Sequence, residues 1–131
     1  MQRLQTRAQF QAVLAGSTVA RTPHFALHRC PLDVLVSEAL PLFGVQDVWL
    51  GAMVPKRWAK RAVTRNAIKR QIYNVSAAPE VSLPIAAHVV RLRSGFDRKE
   101  FVSATSEKLN AAVRLELQQL LKRAAESGAR A

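Results

Sequence analysis

The chain has 131 residues, 49% of them hydrophobic, so it can bury one core and is predicted to form a single domain over residues 1–131. Twenty Lys and Arg against nine Asp and Glu give a net charge of +11, and a pI of about 11.3 favours a nucleic-acid partner. The lone Cys30 excludes an intrachain disulfide and fits a reducing, cytoplasmic compartment. No apolar run approaches the roughly 18 residues of a membrane span.

The first predicted element is a short helix. Thr6 is placed to cap it, and the helix is expected to run to about Ala15, with Gly16 at its end. Its apolar residues recur at i, i+3 and i+4 and form one stripe: Phe10, Val13 and Leu14. This spacing predicts a helix that lays one face against the rest of the fold.

Two strands are predicted before residue 55. The segment 24–30, HFALHRC, alternates with Phe25 and Leu27 on one face, which predicts a half-buried strand. The Pro- and Gly-containing stretch 31–46 is interpreted as a connecting loop. The apolar run 48–54, VWLGAMV, predicts a second strand that is buried on at least one face.

The most informative stretch is residues 56–70, KRWAKRAVTRNAIKR, called the basic segment below. Seven of its fifteen positions are Lys or Arg and none is acidic. A helix is predicted from about Lys60 to Val75, and four cations recur at steps of four: Arg57, Arg61, Arg65 and Lys69. Like charges at this spacing repel in an isolated helix, so the pattern favours an RNA or DNA partner that supplies the negative charge.

Individual residues of this segment have recognisable RNA chemistry. Arg pairs bidentately with phosphate and stacks on bases, whereas Lys provides a point charge. Asn66 can hydrogen-bond a base edge or a ribose hydroxyl. The predicted RNA-binding residues are Lys56, Arg57, Lys60, Arg61, Arg65, Asn66, Lys69 and Arg70. The alternative is a solvated charged face with an ordinary polar Asn.

The last third of the chain is predicted to hold a loop, a strand and a long helix. The strand covers residues 85–92, with Val89 and Val90 as its innermost residues. Asp97 and Glu100 have the spacing of a capping box before the helix. The pattern fits one bent helix or two, with a partial apolar stripe that comprises Phe101, Leu109, Val113, Leu117, Leu120 and Leu121. Residues beyond about 125 are expected to fray.

A second candidate surface combines aromatic, apolar and imidazole side chains. Its members are Phe10, Leu14, His24, His28 and either Trp49 or Met53. Flat rings beside positive charge suit unpaired bases, which stack on them. Core packing is the alternative for Phe10 and Leu14.

Metal and catalytic sites are not predicted. His24, His28 and Cys30 are strand neighbours whose side chains converge poorly, so they do not predict a zinc site. The scattered acids offer no paired carboxylates for a two-metal nuclease. His88, in the middle of a strand, is interpreted as structural.

The basic segment resembles a known signature. KRAVTRNAIKRQI, residues 60–72, is similar to the signature of the bacterial ribonuclease P protein subunit, whose pattern is Arg-Asn-Arg-hydrophobic-Lys-Arg. The matching residues are Arg65, Asn66, Ala67, Ile68, Lys69 and Arg70, with Ala67 in place of the second Arg. The resemblance extends to RLQTRAQFQAVLAG, FALHR, VPKR and HVVRLRSGF, and so covers most of the chain.

The resemblance implies an α+β fold, an α/β sandwich whose small mixed sheet packs against helices. This fold is ribosomal protein S5 domain 2-like, with a left-handed βαβ crossover. The family's basic helix binds the catalytic RNA, and a cleft between the first helix and the sheet holds the single-stranded 5′ leader of precursor tRNA. By position, Phe10, Leu14 and His28 would line that cleft, with Lys56 and Arg57 near its rim.

The resemblance also implies how the chemistry is divided. The RNA subunit of such enzymes hydrolyses the phosphodiester with Mg²⁺, so no catalytic residue, metal or cofactor is expected on this chain alone. The expected partners are the catalytic RNA and precursor tRNA, in the cytoplasm, with no membrane and no obligate protein partner. A ribosomal or ribosome-associated RNA-binding protein is the alternative function, and a self-sufficient nuclease is a third.

Overall fold

The computed structural model describes residues 1–37, 40–96 and 107–130. The elements in chain order are β1 (Gln2–Arg3), α1 (Arg7–Leu14), β2 (Ser17–Arg21), β3 (Phe25–Cys30), β4 (Leu35–Ser37), β5 (Leu40–Pro41), β6 (Trp49–Met53), α2 (Ala62–Ser76), β7 (Ala87–Leu92) and α3 (Glu107–Arg130). Within these ranges, no helix combines the length and apolar character needed to cross a membrane.

The main sheet has five strands in the order β1-β6-β7-β3-β2. β6 is parallel to both β1 and β7, whereas β3 is antiparallel to β7 and β2. Parallel neighbours need a crossover connection, and α2 forms the one between β6 and β7. The predicted α+β class, with a small mixed sheet packed against helices, is confirmed. The hand of the crossover stays a prediction.

Helices cover both faces of the sheet. On one face, Val13 of α1 packs with apolar residues of β3, β6 and β7. On the other face, α2 and α3 form a larger cluster with Phe25 and Leu27 of β3. β3 is therefore buried on both faces, and the prediction of a half-buried strand was wrong because it assumed that one face meets water. Val89 and Val90 are buried on opposite faces of β7, and their inner position is confirmed.

The N-terminus of α1 is a capping box. The Thr6 hydroxyl accepts from the Gln9 backbone N–H at 3.2 Å, and the Gln9 side chain accepts from the Thr6 N–H at 3.1 Å. The predicted Thr6 cap is confirmed, although the role of Gln9 was not predicted.

Gly16 follows α1 without a positive φ. A β-carbon there would overlap the carbonyl oxygen of Arg29, so close approach to β3 requires the glycine.

The fold contains strands that the sequence pattern did not predict, two in the main sheet and two in a separate two-stranded sheet. β1 and β2 were not expected, and the predicted loop 31–46 contains the β4–β5 hairpin, so that prediction was wrong. β1 has only two residues and pairs with the distant strand β6, so the local sequence does not encode it. β2 pairs with β3, the next strand along the chain, and β4 pairs with β5. β4 and β5 have three and two residues, too few for a clear period-2 pattern.

The apolar stripe of the long helix is confirmed from Leu109 onward, since Leu109, Val113, Leu117, Leu120 and Leu121 are all buried in one cluster. Asp97, Glu100 and Phe101 lie outside the described residues. α3 continues to Arg130, and the fraying expected beyond about residue 125 stays a prediction.

Candidate nucleic-acid interface

The basic segment begins as a turn and ends as a helix. After β6, the backbone N–H groups of Trp58 and Ala59 donate to the Pro55 carbonyl at 3.1 and 3.2 Å. Ala59 is buried in the core, and α2 starts only at Ala62, with Arg61 as its N-cap. The turn is stabilised by these two hydrogen bonds and by the burial of Ala59 in the core.

The four cations that recur at steps of four therefore do not share one helix. Arg57 lies in the turn and Arg61 caps the helix, so only the last cations of the basic segment lie in α2: Arg65, Lys69 and Arg70. The cations are therefore spread over the turn and the helix as far as Arg70, instead of forming a straight row on one helix.

The exposed cations of this surface have no carboxylate partner in the part of the chain described. In the described ranges the Met1 amino group pairs with Asp47 and His24 Nδ1 contacts a Glu116 carboxylate oxygen, and neither contact involves the basic segment. The first turn of α2 has no acidic residue and no side-chain cap. The positive end of the helix dipole therefore adds to the cations. Five of them are exposed: Lys56, Arg57, Lys60, Arg61 and Arg70.

Arg65 has a structural contact that the sequence did not indicate. Its Nη1 donates to the carbonyl oxygens of Ala59 at 2.9 Å and Lys60 at 2.7 Å. Part of the guanidinium thus ties the turn to the helix, while the half-buried Lys69 has no such bond in the described contacts. Asn66 is exposed next to Arg65, whereas Ala67 is buried.

The second predicted surface is partly assembled along α1. The Phe10 ring covers Gly51 of β6, where an added β-carbon would come within 2.5 Å of Phe10 Cε1. Phe10, Leu14 and Met53 are half-buried at the margin of the α1-side cluster. Glycine at position 51 therefore allows the Phe10 ring to approach the strand closely, while part of this half-buried residue remains open to solvent.

His28 is on the same face but is only 6% exposed. Arg91 Nε donates to His28 Nε2 at 3.2 Å, so the ring proton is on Nδ1, which donates to the Thr18 hydroxyl at 3.2 Å. Burial lowers the pKa of His28, and the charges of Arg91 and Arg21 lower it further. A neutral, hydrogen-bonded ring orients Arg91 and offers little surface of its own to a base.

Arg91 is the residue that sequence reasoning missed at this surface. It is half-buried on β7, two residues after Val89, whose side chain packs beneath α1. Because side chains at i and i+2 of a strand lie on one face, the sequence could have predicted that Arg91 shares the face of Val89. Arg91 brings a positive charge to the edge of the surface that Phe10 and Met53 line.

His24 and Trp49 do not take the predicted positions. His24 Nδ1 is 2.7 Å from a Glu116 carboxylate oxygen on α3, and its ring stacks on Phe96 with centroids 4.0 Å apart. It therefore lies away from Phe10. Trp49 is 9% exposed and donates to the Val45 carbonyl, so it belongs to the core.

Comparison with known sequences identifies ribonuclease P proteins as relatives. The sequence model of the family described as Ribonuclease P matches residues 1–125. The ribonuclease P protein component of Burkholderia mallei is 31% identical over 128 residues, covering 98% of this chain and 85% of that protein. The ribonuclease P protein component of Bordetella parapertussis is 35% identical over 92 residues, 70% of each chain.

Solved structures share the fold. The ribonuclease P protein of Staphylococcus aureus superposes with a TM-score of 0.65 at 20% identity, over 93% of this chain and 94% of that one. The protein from Thermotoga maritima gives a TM-score of 0.63 at 22% identity, over 94% and 97%. With a family match across nearly its whole length, this chain belongs to the ribonuclease P protein family.

Proposed function

We propose that this chain is the protein subunit of a ribonuclease P holoenzyme. It binds the catalytic RNA and the single-stranded 5′ leader of precursor tRNA, and it assists endonucleolytic removal of that leader in the cytoplasm. The observation that carries the proposal is the exposed basic segment, which has no carboxylate partner in the described ranges and lies in a chain that matches the family over residues 1–125.

The basic segment would bind RNA chiefly through phosphate. Exposed Lys and Arg release counterions when they neutralise a polyanion, and this release makes binding favourable and salt-dependent. Asn66, exposed on α2 beside these cations, is placed to hydrogen-bond a ribose hydroxyl or a base edge. The proposed contacts are Lys56, Arg57, Lys60, Arg61, Arg65, Asn66, Lys69 and Arg70.

The leader would lie along the margin of α1. Phe10, Leu14 and Met53 offer half-buried apolar surface, and Arg91 supplies a cation beside them. We assign His28 the role of holding Arg91 through their 3.2 Å hydrogen bond, in place of stacking on a base. An unpaired base on Phe10 with its phosphate toward Arg91 would use both kinds of contact.

The chemical step is assigned to the RNA. In the described ranges, no three His, Cys, Asp or Glu side chains gather in a group that could hold a metal ion. The proposal places Mg²⁺ mainly on the catalytic RNA, which would supply the hydrolytic chemistry. This chain contributes binding and orientation of the leader.

Reconstitution tests the proposed function. The protein is combined with candidate catalytic RNAs and precursor tRNA at low Mg²⁺, and release of the 5′ leader is measured. We expect cleavage at low Mg²⁺ only when protein and catalytic RNA are both present. Cleavage by the pure protein without RNA would show a self-sufficient nuclease. Co-purification with ribosomal RNA, with no effect on 5′ maturation, would indicate the ribosome-associated alternative.

Phe10→Ala tests the leader surface. Loss of the ring removes a stacking contact worth about 1–3 kcal/mol per base, so affinity should fall more for precursor tRNA with a leader than for tRNA without one. Val13→Ala is the matched control, because Val13 is fully buried on the same helix. It should lower stability without favouring either RNA. Equal losses for both RNAs in Phe10→Ala would assign the ring to the core.

Substitutions at Arg65 and Lys69 separate structural from RNA-binding contacts. Both Arg65→Ala and Lys69→Ala should weaken RNA binding and reduce its salt dependence. Only Arg65→Ala should also lower the free energy of unfolding, by about 1 kcal/mol, because it removes the hydrogen bonds to Ala59 and Lys60. Urea unfolding and RNA titration of each variant measure the two effects. A salt dependence unchanged in both variants would contradict the proposed face.

A further inference from the structure

Trp58 is an exposed tryptophan near the start of the basic segment. Its side chain is 37% exposed, and it belongs to neither of the two apolar clusters formed by the described residues. The Arg57 guanidinium carbon lies 5.1 Å from its ring centroid. More than a third of the surface of this large residue is therefore open to solvent, outside both apolar clusters.

The backbone that carries Trp58 is held from several directions. Pro55 accepts two backbone hydrogen bonds from the turn, and Arg65 binds the carbonyl oxygens of Ala59 and Lys60. Gly95, after β7, approaches so closely that a β-carbon there would lie 3.0 Å from the Trp58 carbonyl oxygen. A ring presented from a fixed backbone loses little conformational entropy when a ligand covers it.

The surroundings of the ring define the ligand chemistry. Trp58 has exposed cations on both sides in sequence, Lys56 and Arg57 before it and Lys60 and Arg61 after it. No ion pair of the described chain involves them. An aromatic face beside several cations is the combination that binds single-stranded nucleic acid, because bases stack on the ring while phosphates meet the charges.

We propose that the Trp58 indole stacks on an unpaired RNA nucleotide while Arg57 binds the adjacent phosphate. This site is separate from the α1 surface that contains Phe10, and it rests on the proposed RNA-binding function. The nucleotide comes either from the leader of precursor tRNA or from a single-stranded part of the catalytic RNA. Both sources present the same chemistry, a base with an exposed face next to a phosphate.

Tryptophan fluorescence reads this site directly. The chain has two tryptophans, and Trp49→Phe leaves Trp58 as the only one. Emission is followed during titration with a single-stranded oligoribonucleotide, the catalytic RNA, precursor tRNA with its leader, and mature tRNA. We expect quenching by the oligoribonucleotide, since a stacked base contacts the indole. Quenching by precursor tRNA but not by mature tRNA assigns the nucleotide to the leader. Quenching by the catalytic RNA alone assigns the nucleotide to the catalytic RNA.

Affinity measurements in the chain that retains Trp49 provide an independent readout. Anisotropy of a labelled oligoribonucleotide should show at least a roughly fivefold loss of affinity in Trp58→Ala, with most of it restored in Trp58→Phe. Leu115→Ala, which removes another exposed apolar side chain, on α3, should have no effect.

The outcomes distinguish this site from the function on which it rests. RNA binding with unchanged Trp58 emission and unchanged Trp58→Ala affinity would overturn the stacking site alone. A loss in Trp58→Ala that Trp58→Phe does not restore would also overturn it. If the unaltered chain binds none of the RNAs, both the site and the proposed function fail.

Discussion

Replacing Lys56, Lys60 and Arg61 together by Gln is expected to weaken binding of the catalytic RNA by about a hundredfold or more near 0.1 M salt. The three side chains are exposed, and no carboxylate of the described residues pairs with them. Each phosphate contact contributes roughly 0.7 to 0.9 to the slope of log affinity against log salt, so this slope should fall by about two to three. The substituted residues lie outside the core, so the fold should be retained.

A matched variant controls for net charge. Arg114, Lys122 and Arg123 are exposed cations on α3, and replacing these three by Gln also lowers the net charge of +11 by three. We expect a much smaller change in the salt slope, because overall charge acts at long range while contacts act locally. RNA titrations at several salt concentrations measure both variants. The same change of slope in both would show that overall charge, not this surface, drives binding.

Acidification from pH 7 to pH 4 is expected to lower the free energy of unfolding by about 3 kcal/mol through His88 alone. His88 is fully buried, and Arg29 Nε donates to its Nδ1 at 3.2 Å while its Nε2 donates to the Pro84 carbonyl at 3.0 Å. Burial lowers the pKa of His88 from 6.5 to about 4; the bond to Pro84 opposes this shift and the charge of Arg29 adds to it.

The direction of the pH effect follows from where the proton binds. Below pH 6.5 the unfolded chain takes up a proton at His88 while the folded chain does not, so the equilibrium moves toward unfolding until about pH 4. Above pH 6.5 both states are neutral and the full stability is present. His28, whose pKa is also lowered, acts in the same direction.

The His88→Gln variant separates the pH dependence of stability that His88 causes from the part that His28 causes. Gln can accept from Arg29 and donate to Pro84 without titrating, so this variant should lose stability less steeply between pH 7 and pH 4 than the unaltered chain. Urea unfolding at several pH values gives the comparison. If the free energy of unfolding falls equally between pH 7 and pH 4 in both proteins, the assigned role of His88 is contradicted.

Local sequence patterns predicted the longer elements correctly. Thr6 caps α1, the alternating segment from Phe25 forms β3, and the apolar run from Trp49 forms β6. These patterns repeat every 2 or 3.6 residues and depend on neighbours along the chain. The two-residue strand β1 was not predicted, because its partner β6 lies 47 positions away in the register of Gln2 with Trp49.

The charge surplus and the match to the family signature were properties of the sequence by itself, since the number of cations does not depend on how the chain folds. Only the tertiary structure decided what each side chain contacts. It turned His24 toward Glu116 on α3, 92 residues away, and placed His28 beneath Arg91, 63 residues away. It also left Trp58 exposed in a turn that backbone hydrogen bonds to Pro55 stabilise. Such contacts join residues that are distant in sequence, where periodicity and spacing carry no information about which side chains meet.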